Sequence, residues 1–294
     1  MRRVWLLSLV LLGCQHFETT GGVSVAVGPV SEQLRSSLDL DPFYQQHSDA
    51  LGFPVLASAE VQPESLAEAR YLILKMLGHR PDILTAMAAS RTRFTVMAHD
   101  EWTTDVPEHS DLRPSEYWDR RARGLGATSS RPSVSCGEEN LLAMDGDPYS
   151  TENILIHEFA HAIHEMGLST VDPTFDPRLK KAYHQAMEQG LWKGAYASTN
   201  RMEYWAEAVQ SWFDTNREND NQHNHIDTRQ ELEEYDQPVA ALCREVFGEG
   251  EWRYVHPTLR QHEAHLRAID RDSLPVFRWA DGMEEAYRAH PKSE

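Results

Sequence analysis

The sequence has few cysteines, a deficit of basic residues and no long apolar run. Three cysteines in 294 residues exclude a small fold held together by many disulfides. Lysine and arginine number 28 against 46 acidic residues, and the net charge of −18 repels phosphate backbones, so we expect no nucleic-acid partner. The apolar stretch from Val4 to Leu12 is too short to span a bilayer as a mature helix. With 40% hydrophobic residues, the chain can still bury a full core.

The first residues have the organisation of an export signal. Arg2 and Arg3 precede the apolar stretch, which ends in Leu11-Leu12-Gly13-Cys14. This ending resembles a bacterial lipoprotein signal, and a plain secretory signal with a chance cysteine is the alternative. The resemblance implies a signal peptide over 1–13, a lipidated Cys14 and a membrane anchor in the bacterial cell envelope, at the outer membrane or the cell surface.

Composition divides the rest of the chain into three parts. Residues 14–40 are polar and contain glycine, which predicts a flexible tether after the lipidated cysteine. A folded domain is predicted over 41–254, and 255–294 is predicted to be a C-terminal helical extension without an assigned function. Export allows a disulfide between Cys136 and Cys243, and two free buried thiols are the alternative.

Hydrophobic periodicity and capping residues predict an α+β fold. The pattern consists of a small mixed sheet with helices, followed by a mainly helical C-terminal half, with one charged helix at the division. Strands are predicted over 53–58, 93–98 and 134–145, and helices over 63–78, 152–167, 176–190, 200–214 and 228–248.

The helix over 152–167 contains the motif His157-Glu158-Phe159-Ala160-His161. Residues four apart on a helix differ by about 40° and 6 Å, so both imidazoles can reach one point beside the same face. Two neutral imidazoles supply half of a tetrahedral zinc site. Glu158 flanks that face, where it could act as general base toward a zinc-activated water.

A catalytic zinc needs a third protein ligand and one open position. His164 lies about 10 Å along the helix from His157, too far to share the ion, and we expect it to be a packing residue. The metzincin motif is excluded because Gly167 stands where its last histidine would be. Glu203 and Glu207 remain, one turn apart on an apolar helix, where their burial is costly without a partner such as a cation.

A segment downstream of the motif resembles a known family. Tyr196, Thr199-Asn200, Glu203 and Ala206-Glu207-Ala208 are similar in spacing to the segment that completes the zinc site of the anthrax lethal factor catalytic domain and of the bacterial Pro-Pro endopeptidases. Both are gluzincin zinc metallopeptidases. The resemblance covers residues 150–214 and rests on two separate motifs.

This resemblance implies a zincin-like fold and the roles of individual residues. One Zn²⁺ per chain is implied, with His157, His161 and Glu203 as its ligands. Glu158 is implied as the general base, Tyr196 as the group that stabilises the oxyanion, and Glu207 as a carboxylate close to the zinc ligands. The strand ahead of the motif helix, within 134–143, is implied to pair with an extended substrate.

The implied function is that of a lipid-anchored zinc metalloendopeptidase acting on a peptide or protein substrate. Two alternatives stay open: a binding lipoprotein with the same fold but no hydrolysis, and a zinc hydrolase of a non-peptide substrate. A cluster of arginines at 120–131 could bind an acidic group of the substrate, but a loop of salt bridges is favoured.

Overall fold

The computed structural model describes residues 27–290, so the predictions for the signal peptide and Cys14 lie outside the described residues. One mixed sheet contains β1 (Gly28–Pro29), β2 (Gln46–Ala50), β3 (Phe53–Ala57), β4 (Arg93–Met97), β5 (Gly124–Leu125) and β6 (Ser133–Gly137). The strand order is β1-β2-β3-β4-β6-β5. The two central pairs, β3–β4 and β4–β6, are parallel, and the outer pairs are antiparallel.

Most of the chain after β6 is helical, which confirms the predicted α+β class. A π-helical turn at Ile163–Leu168 continues the motif helix beyond its predicted end. Within 27–290, no helix is both long and apolar enough to cross a membrane. The α-helices are α1 (Glu32–Leu38), α2 (Pro63–Leu77), α3 (Pro81–Ala89), α4 (Ser115–Arg121), α5 (Glu138–Leu142), α6 (Ile154–Ala162), α7 (Ser169–Val171), α8 (Phe175–Glu188), α9 (Arg201–Trp212), α10 (Arg229–Tyr235), α11 (Gln237–Phe247) and α12 (Met283–Ala289).

The sheet and the helical half share one hydrophobic core. In β3 the alternation of side chains sends Val55 into this main core and Leu56 into a smaller cluster beneath α1. On the main face, the Phe159 ring of α6 lies 5.5 Å from that of Phe53 and 6.3 Å from that of Phe94. The motif helix is therefore fixed directly on the sheet.

The predicted tether is shorter than expected. Residues 28–40 contain β1 and α1, and Ser31 caps α1 by accepting a hydrogen bond from the backbone N–H of Leu34. Val30, Leu38 and Leu40 are buried in the smaller cluster. The folded domain therefore begins well before residue 41. The mostly polar composition of this segment did not indicate that its few apolar residues are buried.

The possible disulfide between Cys136 and Cys243 is not formed, and the alternative of two free buried thiols is the one observed. Cys136 lies on β6 and Cys243 on α11. Helix α6 packs on β6, α9 packs on α6, and α11 packs on α9, so two helices separate the cysteines. A disulfide needs Cα atoms within about 7 Å, which this layering prevents.

The C-terminal extension is mostly not helical. Residues 255–282 form short 3₁₀ turns and irregular backbone, and only α12 is an α-helix. Pro257 interrupts the pattern, and the segment is fixed by side chains instead of by a continuous helix. Arg260 forms an ion pair and His265 a hydrogen bond with Glu68, a fully buried residue of α2.

The strand expected to pair with substrate is also placed differently. Of residues 134–143, only those up to Gly137 belong to β6, because the chain then turns into α5. Strand β6 lies between β4 and β5, so its backbone is paired on both sides, and the edge of the sheet near the motif helix is β5.

Candidate metal centre

Helix α6 carries the first half of the site. Its N-cap is Asn153, whose side chain accepts a hydrogen bond of 3.0 Å from the backbone N–H of Ile156. The apolar residues of α6 are buried against the sheet, whereas His161 and Glu158 keep partial exposure. Because His157 and His161 are one turn apart, their rings emerge side by side, with centroids separated by 5.0 Å.

Helix α9 carries the second half. The Asn200 side chain caps it by accepting hydrogen bonds from the backbone N–H groups of Met202 and Glu203, at 2.8 and 3.0 Å. The Trp205 indole donates a hydrogen bond of 2.9 Å to the Ala160 carbonyl of α6. This contact holds the two helices together and aims Glu203 at the two histidines.

Three donor atoms from these helices form a nearly equilateral triangle. Glu203 Oε2 lies 3.2 Å from His157 Nε2 and 3.3 Å from His161 Nε2. The two Nε2 atoms are 3.3 Å apart. The three side chains retain between 10% and 18% of their exposure, so the triangle opens toward solvent on one side.

The triangle fits a zinc ion. Tetrahedral Zn²⁺ with ligands at about 2.0–2.1 Å separates its ligand atoms by about 3.3–3.4 Å. The three observed separations agree with that edge length, and two imidazoles with one carboxylate are a donor set typical of zinc with an open fourth position. The three side chains come from two helices that are well separated in sequence, since α6 ends at Ala162 and α9 begins at Arg201.

The electrostatics of the site favour a cation. Burial alone raises the pKa of Glu203, but hydrogen bonds from His157 and His161 outweigh it and hold that pKa well below its usual range. Burial lowers the pKa of His157, but Glu203, Glu158 and Glu207 outweigh it and raise that pKa well above its ordinary value. Three carboxylates around two imidazoles therefore attract either a proton or a metal ion.

Gln210 holds His157 from behind, and sequence reasoning missed it. Its Oε1 lies 2.8 Å from His157 Nδ1, while its Nε2 donates a hydrogen bond of 3.0 Å to Glu152 Oε2. Because the Glu152 carboxylate only accepts, the amide must turn its oxygen toward His157. In its neutral form, the form that binds a metal ion, His157 then carries its proton on Nδ1 and has a free lone pair on Nε2. Gln210 is seven residues after Glu203, on the same helical face, which is the signal that could have identified it.

Glu207 lies near the cluster but further from His157 than Gln210 does. Its Oε1 is 3.6 Å from His157 Nδ1, and its Oε2 is 3.5 Å from His223 Nε2. Asn216 donates a hydrogen bond of 3.2 Å to Oε2. Burial lowers the pKa of His223, but Glu207 outweighs it and raises that pKa, so Glu207 favours the charged form of this imidazole, a contact that the sequence did not reveal.

Glu158 lies beside the triangle, under β5. Burial raises the pKa of its carboxyl group, and the positive charges of His157 and His161 oppose that shift. A Cβ at Gly124 would lie 3.0 Å from Glu158 Cγ, and a Cβ at Gly126 would lie 2.8 Å from His161 Cβ. These two glycines let the edge strand and the residues after it pass directly over the motif helix.

Tyr196 is a further residue of the candidate site and lies beside His157. It lies in a 3₁₀ turn, Tyr196–Ser198, just before α9. Its half-buried ring is 6.4 Å from the ring of His157, centroid to centroid. Burial and the negative charge of Glu203 raise the pKa of its hydroxyl, so Tyr196 keeps its proton at neutral pH and can donate a hydrogen bond.

His164 points away from the cluster, in keeping with the expected packing role. Its Nε2 lies 2.9 Å from Asp176 Oδ1, and its ring packs against that of Phe175 at 5.7 Å. Of the five ionisable residues in the motif helix, His157, Glu158 and His161 therefore surround the triangle, whereas His164 and the exposed Glu165 do not.

Comparisons with known proteins show a structural likeness but no match in sequence. No protein-family model matches the sequence, and no curated protein matches it. Among solved structures, a Pro-Pro endopeptidase from Paenibacillus alvei aligns with 17% sequence identity and a TM-score of 0.47, over 66% of this chain and 97% of that one.

Proposed function

We propose that this protein is a zinc metallopeptidase whose ion is held by His157, His161 and Glu203. The observation that carries the proposal is the triangle of donor atoms at 3.2–3.3 Å, beside a partly exposed Glu158. Zinc, when bound there, would act as a Lewis acid and make water a nucleophile near neutral pH.

The surrounding residues supply the remaining chemistry. Glu158 takes the proton of the attacking water and later delivers it to the leaving amine, a role for which a raised pKa is suited. Tyr196 donates a hydrogen bond to the oxyanion that forms from the peptide carbonyl. Gln210 keeps His157 in the tautomer that leaves Nε2 free.

The edge strand β5 is suited to bind the substrate backbone. It is the last strand of the sheet on this side, and its residues Gly124 and Leu125 are paired on one side with Cys136 and Ser135. An extended peptide can add as a further strand along the other side. Because a Cβ at Gly124 would lie 3.0 Å from Glu158 Cγ, a peptide paired with β5 would lie near the reactive groups.

Metal content and peptide cleavage test the proposal together. Protein purified without chelators should contain about one zinc per chain and should cut members of a mixed peptide library. Glu158→Gln should keep the zinc and lose cleavage, whereas Glu165→Gln, an exposed glutamate on the same helix, should behave as the wild type. A wild-type protein without stoichiometric zinc, or one that is zinc-loaded and inactive, would contradict the assignment.

We also propose that the protein is exported and anchored by a lipid on Cys14, on the basis of the sequence at residues 1–14. The full-length chain expressed in bacteria should incorporate labelled palmitate and sediment with membranes. Cys14→Ala should abolish both. Labelling of the Cys14→Ala protein would refute the anchor.

A further inference from the structure

The arginine cluster at 120–131 is mostly a set of salt bridges, as the sequence favoured. Arg120 is also held between aromatic rings, with its guanidinium 4.4 Å from the Trp279 ring and 5.5 Å from the Tyr287 ring. Three of the four arginines have carboxylate partners: Arg120 with Glu284 at 2.7 Å, Arg123 with Glu139 at 2.6 Å and Arg131 with Asp111 at 2.8 Å.

Arg121 is the exception. Arg121 is an exposed residue, and within residues 27–290 no carboxylate lies within 4.0 Å of its guanidinium, which is 5.4 Å from the Trp118 ring. An unpaired arginine is unusual in a chain with a net charge of −18, where acidic partners are abundant.

The position of Arg121 relates it to the metal centre. It is the last residue of α4, three residues before Gly124, where an added Cβ would lie 3.0 Å from Glu158 Cγ. Its positive charge acts on groups of the cleft: burial raises the pKa of both Tyr196 and Glu158, and Arg121 opposes that rise in each case. Arg121 is therefore a cationic group close to the reactive residues and the edge strand.

Side-chain contacts on two faces of α4 fix the helix that carries Arg121. Tyr117 stacks on Tyr287 of α12 with ring centroids 5.4 Å apart, and Arg120 is clamped from the same side. On its other side, Asp119 accepts a hydrogen bond of 2.8 Å from the Thr104 backbone N–H. A helix fixed at both faces holds the backbone of Arg121 in place, so only its side chain has to be ordered on binding.

We propose that Arg121 binds a carboxylate side chain, Asp or Glu, of the peptide substrate next to the bond that is cut. This inference rests on the proposed peptidase function. A planar guanidinium pairs with a carboxylate through two parallel hydrogen bonds. The carboxylates of the cleft would otherwise repel an acidic peptide, so the preference for such a peptide depends on Arg121.

The test compares peptides that differ by one charge. From a peptide that the zinc-loaded protein cleaves, a series is made with Glu, Gln or Lys at each position flanking the cut bond. At one position the wild type should cleave the Glu peptide about 10-fold more efficiently in kcat/KM than the Gln peptide, which corresponds to about 1.4 kcal/mol. Arg121→Gln should bring that ratio close to one, and Arg121→Glu should favour Lys. Arg113→Gln, an exposed arginine in the same region, should leave the ratio unchanged.

Two outcomes would overturn the proposal. If Arg121→Gln lowers kcat/KM equally for the Glu and Gln peptides, Arg121 only balances the carboxylates of the cleft. If the wild type shows no preference for Glu at any flanking position, no carboxylate is recognised there.

A binding measurement distinguishes failure of carboxylate recognition by Arg121 from failure of the peptidase proposal. Labelled mixed-sequence peptide pools that contain Glu or Gln are titrated into the zinc-loaded Glu158→Gln protein, and into the same protein with Arg121→Gln. Tighter binding of the Glu pool that disappears with Arg121→Gln supports carboxylate recognition even if no peptide is cut. Equal binding of both pools contradicts it.

Discussion

Replacing Gln210 by alanine should weaken zinc binding although Gln210 does not touch the ion. The substitution removes the acceptor that lies 2.8 Å from His157 Nδ1 and leaves Glu152 with Arg217, at 2.8 Å, as its partner. His157 would then be free to rotate or to take the wrong tautomer. Loss of such a supporting hydrogen bond typically reduces metal affinity by about 10- to 100-fold.

The structure places the expected loss at the lower end of that range. Glu207 Oε1 lies 3.6 Å from the same nitrogen and can take over part of the role of Gln210 after a small movement. We therefore expect about a 10-fold loss for Gln210→Ala, or about 1.4 kcal/mol. For the same reason Glu207→Gln alone should cost less than 10-fold. The double variant should lose about 100-fold, more than the two single losses combined, because the substitute acceptor is then weakened.

Zinc affinity is measured at neutral pH by competition with a fluorescent chelator, and each variant is also melted without metal. Gln185→Ala, an exposed glutamine on α8, is the matched control. The reasoning is refuted if Gln210→Ala binds zinc as tightly as the wild type while Glu207→Gln alone loses 10-fold or more. In that case the carboxylate, and not the amide, orients His157.

Further outcomes follow from the same contacts. Glu203→Gln should abolish stoichiometric zinc by elemental analysis, whereas Glu207→Gln should retain it, and the reverse would mean that the ligand is one turn further along α9. Tyr196→Phe should keep zinc and lower kcat more than it raises KM in a peptide assay, because its hydroxyl acts on charge formed only in the transition state; an unchanged kcat would remove Tyr196 from the chemistry. Burial lowers the pKa of His109 to about 4, so this histidine is neutral when folded. Because the unfolded chain binds the proton first, stability should be lost as the pH falls from about 6.5 to about 4, by up to about 3 kcal/mol in total. Denaturant titrations of His109→Gln should show a weaker loss over that range, and identical pH profiles for variant and wild type would contradict the assignment.

The sequence alone predicted the elements whose signals are local. The strands at 53–57 and 93–97 and the helices at 63–77 and 201–212 were readable because periodicity and capping residues lie within each segment. The spacing of His157 and His161 also predicted that their rings share a face, since one helical turn fixes it. Thr228 and Glu231 form the expected capping box, although a break at Asp236 divides that helix in two.

The distances within the candidate site required the tertiary structure. The sequence proposed Glu203 through a resemblance, but only the packing of α9 on α6 shows its oxygen at 3.2–3.3 Å from both histidines. The sequence spacing along α9 does not show whether Gln210 or Glu207 contacts His157. Their different distances to Nδ1, 2.8 and 3.6 Å, depend on how α9 is rotated about its axis.

The remaining differences arose where distant parts of the chain meet. Cys136 and Cys243 are kept apart by the helices between them. Helix α1 is anchored by apolar contacts with the sheet, which its mostly polar sequence did not predict. The edge position of β5 depends on strand order. Whether an arginine of the cluster finds a carboxylate within residues 27–290 depends on packing, since Arg120 is paired with Glu284 of the C-terminal segment and Arg121 has no such partner there. Local sequence sets the conformation of short segments, but contacts between segments far apart in sequence decide which groups face the cleft, because those contacts depend on the packing of the whole core.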